Sequence, residues 1–193
     1  IRFFCLSRGL GDVYKRQVSK IGPEVFHTLE GPVPGRDCQV EASIDWDRRY
    51  AHMRYHTAQH LLSAYFLDQH KAKTTGNQIS TQGASIDLDL ESFEPDSLTG
   101  AKGQLNLWIA GSLPVKITMM PREEALRVLN PERTRIDLLP KSVSVLRIVE
   151  VQGVDMVACA GTHVSNTSEL GHFEVVKTSS KGRDRRRLEF VLR

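Results

Sequence analysis

Little cysteine, no long apolar run and almost no net charge set the first limits on this sequence of 193 residues. Three cysteines, Cys5, Cys38 and Cys159, are too few for a disulfide framework, which points to a reducing cytoplasm and to no disulfide-linked partner. No apolar run reaches the length that spans a bilayer, and Arg2 and Arg8 bracket an N-terminal apolar stretch too short for a signal peptide, so no membrane is expected among the partners. A formal net charge of +3 identifies no partner by itself. Internal repeats and low-complexity segments are absent. A hydrophobic fraction of 40% can still bury one large domain, or one domain and a small appendage.

Against this background the stretch from Arg49 to Leu67 stands out. Ala51, Met53, Arg54, Ala58, Gln59, Leu61, Leu62 and Ala64 are good helix formers, and no Gly or Pro interrupts them. Residues four apart stand on one helical face, so His56 and His60 project together and can share one ion. Downstream, Cys159-Ala-Gly-Thr-His163 places a thiolate and an imidazole around Gly161, which would let the chain turn tightly. One Cys and three His form a ligand set that suits tetrahedral zinc (Zn2+). No Glu follows His56, so the His-Glu-x-x-His protease pattern is missing, and no Pro-Cys-x-x-Cys supplies the deaminase signature. A single thiolate argues against closed finger-type sites, and a His-rich set leaves room for water or substrate. His52, one turn before His56, has the position of a group standing behind a ligand; His27, His70 and His172 lack partners at ligand spacing.

Alternation of apolar and polar residues predicts strands over Val25–Glu30 and Cys38–Ile44, joined by the turn-forming Gly31–Gly35. Asp45 or Asp47 can cap the helix that follows. The polar stretch Lys71–Gly83 reads as loop and Ala84–Leu90 as strand. Helices are predicted over Pro95–Ile109 and Pro121–Leu129, each with Pro in its first turn, the former weakened by Gly100 and Gly103. Val115–Met119, Val143–Val149 and Val154–Ala158 read as strands, with Arg133–Lys141 as loop; the last strand delivers Cys159 at its end. His172–Thr178 and Arg186–Leu192 form a strand-turn-strand pattern whose tip carries Lys181, Arg183, Arg185, Arg186 and Arg187 against a lone Asp184. A charged tip can simply guard a sheet edge. Without interleaved aromatics the same cluster suits a surface that grips a nucleic-acid backbone rather than reading bases.

His56-Thr-Ala-Gln-His60 followed by Leu-Leu-Ser-Ala, and then Cys159-Ala-Gly-Thr-His163-Val, resembles the editing domain of alanyl-tRNA synthetases and its free-standing relatives, the AlaX-type trans-editing proteins. The resemblance runs from about Val25 to the C-terminus. It implies a zinc-dependent aminoacyl-tRNA deacylase that hydrolyses mischarged alanine tRNA, chiefly serine and sometimes glycine, through a site made of His56, His60, Cys159 and His163. It implies mischarged alanine tRNA as the partner, and a pocket position for Gln59. A pocket-lining Gln before the strand at Ala84 is also implied, for which Gln78 is preferred to Gln82; a solvated loop Gln is the plainer alternative. Thr57 flanks His56 and either contacts substrate or covers the helix surface, while Thr162 either orients His163, contacts substrate or closes the turn. One departure is Ala160, where the family more often has Gly; a positive φ there would cost about a kcal/mol or more.

The architecture expected is α+β, with the long helix packed on an antiparallel sheet, the metal in the cleft between them, and a partial small β-barrel segment in front. Residues 1–17 resemble translated adapter sequence and are set aside as a non-native or disordered leader, so that true sequence would be missing upstream. Residues 18–45 are then the remnant of an N-terminal barrel, and 46–193 the editing domain. The rival readings are a non-catalytic RNA-binding module with a structural zinc, a fragment of a full alanyl-tRNA synthetase, and a zinc hydrolase acting on a small ester or amide.

Overall fold

A computed structural model describes residues 2–5, 13–22, 24–30, 40–134, 136 and 139–193. The chain divides into two compact units, Ile1–Arg49 and Tyr50–Arg193. In the first, β1 (Arg2–Cys5), β2 (Val13–Ile21), β3 (Glu24–Glu30) and β4 (Val40–Ser43) form an antiparallel sheet in the order β3-β2-β1-β4. The segment before residue 18, which the sequence reading sets apart, thus contributes β1 and much of β2. The turn expected at Gly31–Gly35 and the side chain of Cys38 lie outside the described residues. Asp45 ends this unit's last strand connection by capping α1 (Trp46–His70): its carboxylate accepts from Arg48 N at 3.1 Å and its carbonyl from Arg49 N at 3.0 Å.

Among the described residues of the second unit, two antiparallel sheets, three α-helices and a 3-10 turn at Thr167–Leu170 surround the core. β5 (Thr74–Ile79), β6 (Ala84–Leu88), β10 (Phe173–Ser180) and β11 (Arg186–Leu192) pair in the order β10-β11-β6-β5, and β7 (Val115–Pro121), β8 (Val145–Val151) and β9 (Asp155–Ala158) in the order β7-β8-β9. The helices are most of α1, α2 (Pro95–Ala110) and α3 (Arg122–Val128). Period-two alternation turns Ala84, Ile86 and Leu88 of β6 and Leu188 and Phe190 of β11 inward. They join Tyr55, Leu61, Leu62 and Phe66 of α1, Leu105 of α2 and Val149 of β8 in one hydrophobic cluster. Full burial of each Leu or Phe contributes about 1.5–3 kcal/mol. A smaller cluster gathers Ala125 and Leu129 around Leu146 and Ile148. No helix among the described residues is long and apolar enough to cross a membrane.

Three differences from the sequence reading have physical reasons. The stretch Lys71–Gly83, read as loop, contains β5. It is an edge strand whose polar side chains suit exposure, and its register shifts between Thr74 and Gly76. Gly76 belongs there because a Cβ would stand 3.2 Å from Asp87 Oδ2, which is engaged with Arg187. Pro121 closes β7 and serves as N-cap of α3 rather than as its first helical residue. Gly100, which weakens α2 on propensity alone, makes room for Tyr65: a Cβ would meet its hydroxyl at 2.3 Å.

Candidate metal centre

α1 carries His56 and His60 one turn apart, with ring centroids 5.0 Å apart and nearly perpendicular. β9 ends at Ala158, and the chain then turns so that His163 stacks on His56 at 4.1 Å and meets His60 edge-on at 4.5 Å. Cys159 Sγ lies 3.6 Å from His56 Nε2 and 3.5 Å from His163 Nε2. One ligand atom from each of the four residues falls within 4.8 Å of the other three, so together they could hold one metal ion. Tetrahedral ligands at ordinary zinc bond lengths stand about 3.3–3.8 Å apart, so the sulfur-to-nitrogen spacings suit a shared ion without rebuilding the site.

The turn owes its shape to close contact rather than to left-handed backbone. A Cβ on Gly161 would sit 2.2 Å from His56 Cε1, so only glycine lets the loop approach the ring. Ala160 carries no positive φ, so the cost that such a backbone would bring does not arise: the positive-φ residues other than glycine among those described are Lys71 and Ser112. Arg147 on β8 pins the turn, its Nη1 donating to Cys159 O at 2.7 Å and to Gly161 O at 2.8 Å.

Each imidazole meets an oxygen at Nδ1. His56 Nδ1 is 3.2 Å from Thr162 O, which can only accept, so the ring proton sits there and Nε2 faces the cluster. Thr57 Oγ1 donates to Met53 O at 3.0 Å; with its proton spent, it accepts from Val164 N at 3.3 Å and from His163 Nδ1 at 3.1 Å. His60 Nδ1 lies 3.3 Å from Asp155 Oδ2. His56 and His163 are thereby set to turn Nε2 toward the sulfur, the arrangement in which a ligating histidine is held through its other nitrogen, and His60 has Asp155 within ion-pair reach of its Nδ1.

Burial opposes the charged forms here, and the neighbours decide the outcome. Burial raises the Cys159 thiol, but His163, His56 and His60 outweigh it and bring the pKa down to about 3. Burial also works against a charged His60 ring, yet the Asp155 and Cys159 anions lift it to about 9. His163, buried and beside two other imidazoles, is lowered to about 4. A thiolate beside a protonated His60 means that a metal ion entering this site displaces a proton.

A cavity of about 400 Å³ opens beside the cluster, its wall including His56, His60, Gln59, Asn77 and Cys159. Gln59 is 7% exposed, and its Oε1 is buried without a hydrogen-bond partner among the described residues. Thr57 is fully buried and reaches His163 rather than the cavity. Thr162 is exposed and enters the site through its carbonyl. Gln78 lines a separate cavity on β5, β6, β10 and β11, also bordered by Gln82 and Glu189; its neighbour Asn77 faces the metal cluster's cavity instead. The five cations of the hairpin divide. Arg187 grips Asp87 with both carboxylate oxygens at 2.6 and 2.8 Å, and Arg186 is folded onto the tip's own carbonyls, those of Gly182 and Arg185 among them. Lys181, Arg183 and Arg185 are exposed.

Asp155 and Arg133 were not singled out in the sequence. The signal was present: Asp155 is an acid inside the otherwise apolar Val154-Asp-Met-Val, four residues before Cys159 and, by strand alternation, on the same face. Behind His56, where spacing offers a place to His52, the ring nitrogen meets the Thr162 carbonyl; Asp155 stands beside His60.

The structure is thus an α+β domain in which one cysteine and three histidines meet between α1 and the turn after β9. Residues 146–189 match the family described as threonyl and alanyl tRNA synthetase second additional domain. Alanyl-tRNA editing protein AlaX-M of Methanosarcina barkeri is 34% identical over 179 residues, covering 91% of this chain and 74% of that protein. AlaX-M of Saccharolobus solfataricus is 36% identical over 156 residues, covering 80% and 64%. An alanyl-tRNA editing protein of Mus musculus is 31% identical, over 94% of this chain and 43% of its own. This chain belongs to the AlaX-type family of alanyl-tRNA editing proteins.

Proposed function

We propose that this protein is an aminoacyl-tRNA deacylase that hydrolyses, in trans, the ester joining a wrong amino acid to alanine tRNA, with serine as the amino acid removed and zinc as its metal. The convergence of His56, His60, Cys159 and His163 on one point beside an open cavity carries the reading, and the editing role in the relatives' names agrees with it. The donor set of one sulfur and three nitrogens fits zinc, which when bound supplies Lewis acidity at the ester or an anchor for the substrate. Around it, the chain's own residues orient and select. Gln59 Oε1, buried and without a partner among the described residues, accepts from the serine hydroxyl; alanine, lacking that donor, leaves the acceptor unsatisfied. Asn77 takes the pocket place expected of Gln78. Thr57 and the Thr162 carbonyl act through the histidines they hold. Lys181, Arg183 and Arg185 track tRNA phosphates. The sheet of the first unit is the counterpart of a small barrel, residues from about Trp46 on form the editing domain with its metal between α1 and an antiparallel sheet, and the cytoplasm is the compartment where this substrate is made.

The test is incubation of the full chain with serine-charged and alanine-charged alanine tRNA, with and without a chelator. Serine should be released at least about 100-fold faster than alanine. Chelation should stop release, and added zinc should restore it while circular dichroism stays unchanged. Equal rates on the two substrates, or indifference to the chelator, overturn the reading. Unfolding on metal removal would favour a structural zinc instead.

A further inference from the structure

Behind His60 stands a carboxylate to which the proposed hydrolysis gives no part. Asp155 opens β9 with its side chain only 3% exposed and its Oδ2 3.3 Å from His60 Nδ1. Its other oxygen, Oδ1, receives both Nε of Arg133, at 2.9 Å, and Nη2 of the same guanidinium. Arg133 is itself buried, its side chain 8% exposed, and its Nη1 has no hydrogen-bond partner among the described residues. An unsatisfied buried donor costs about 1–3 kcal/mol. Two buried charges are seldom the most stable way to join a loop to a strand, since apolar residues of similar volume do as well or better. What the pair achieves is direction. The guanidinium fork occupies Oδ1 and leaves Oδ2 to face the imidazole, whose buried Nδ1 lies within ion-pair reach at 3.3 Å but has no aligned hydrogen-bond partner among the described residues; a carboxylate there only accepts, so it favours the ring proton on Nδ1 and a bare Nε2.

We propose that Asp155, aimed by Arg133, is a positioning residue that fixes the Nδ1–H tautomer of His60 and presents its Nε2 to the metal. This rests on the metal-centre reading and adds to it two residues on the wall of the same cavity that are not among the four ion ligands. The competing account is a staple that merely ties the segment after α3 to β9.

Asp155→Asn separates the two. The amide keeps its volume and still offers Arg133 an oxygen, so a staple survives. It then turns an N–H toward His60 Nδ1, which drives the ring proton onto Nε2, the nitrogen the ion needs. In the full-length protein, zinc affinity measured against a chromophoric chelator should fall about 10–100-fold, and the visible spectrum of the Co2+ form should lose intensity. The metal-free protein should also lose stability, because Arg133 keeps its buried charge, so the Co2+ spectrum, which a mere staple would not move, is the deciding readout. Arg133→Lys, which keeps the charge but loses the fork, should lower zinc affinity less than Asp155→Asn does, with a similar spectral change. Zinc affinity within twofold of the parent in both variants, with an unchanged Co2+ spectrum, overturns the proposal in favour of the staple. Should Asp155→Asn fail to fold, Arg133→Lys decides alone. A parent protein that binds no zinc would instead overturn the metal-centre reading, so the two failures are distinguishable.

Discussion

Gly161 lies so close to His56 that a single added carbon would stand 2.2 Å from the ring's Cε1. Gly161→Ala should therefore push either the turn or the helix ring out of place. Zinc affinity, measured by chelator competition, is expected to fall about 100-fold, as overpacking at this scale costs about 1–3 kcal/mol. Ala160→Gly, one residue earlier at a position free of positive φ, should change affinity less than threefold (~0.6 kcal/mol).

Thr57 ties Met53, His163 and Val164 together through one hydroxyl. Thr57→Val keeps the shape and removes those bonds, leaving a buried ring nitrogen and a backbone N–H short of an acceptor. Urea unfolding should show a loss of about 1–3 kcal/mol, with weaker zinc binding. Thr57→Ser should restore most of both.

These two residues also mark where the sequence could be read and where it could not. Helical spacing put His56 and His60 on one face, and the matching gap from Cys159 to His163 paired them with a second half-site; the same four residues come together in the fold. The contact of Thr57 with His163 is not legible in the sequence, because angular position on a helix carries no information about what packs there, and His163 arrives from more than a hundred residues away. Gly161 was rightly singled out but for the wrong reason, since a steric contact with His56 is invisible to turn propensity. β5 was missed because an edge strand with Gly76 and polar side chains lacks apolar alternation, so Gln78 and Asn77 could not be assigned to opposite faces. Asp155 is hard to read because its strand has the pattern of an ordinary apolar run.

Asp87 and Arg187 give a pH dependence whose sign is fixed. The Arg187 hydrogen bonds hold the Asp87 carboxyl below its usual value, outweighing the opposing effect of burial. A lowered folded-state pKa adds stability that is present above the unfolded value, about 3.9, and is lost as pH falls through the folded one. Asp87→Asn should thus cost about 1 kcal/mol at pH 7, after allowance for partial exposure, and the gap from the parent should narrow on acidification below about pH 4. Denaturation curves at pH 7 and pH 3 measure it.

The hairpin tip should act on RNA through three cations rather than five. Replacing Lys181, Arg183 and Arg185 together by Ala should weaken binding of alanine tRNA and reduce the slope of log affinity against log salt by about 3. Arg186→Ala should act mainly by loosening the turn whose carbonyls it holds, and Arg187→Ala mainly through Asp87, each seen as a lower thermal midpoint.

The two halves of the centre sit far apart along the chain, His60 on α1 and Cys159 just beyond β9. An ion held by both closes a loop of about a hundred residues, and by the chain-entropy estimate for a covalent link of that span such a tether restricts the unfolded ensemble by about 4–5 kcal/mol. On the ribosome, at roughly 5–20 residues per second, the first pair of ligands waits on the order of 5–20 s for the second. Four-ligand capture of an ion would consequently have to follow the synthesis of Cys159 and His163, and a nascent chain halted before Cys159 would offer only His56 and His60.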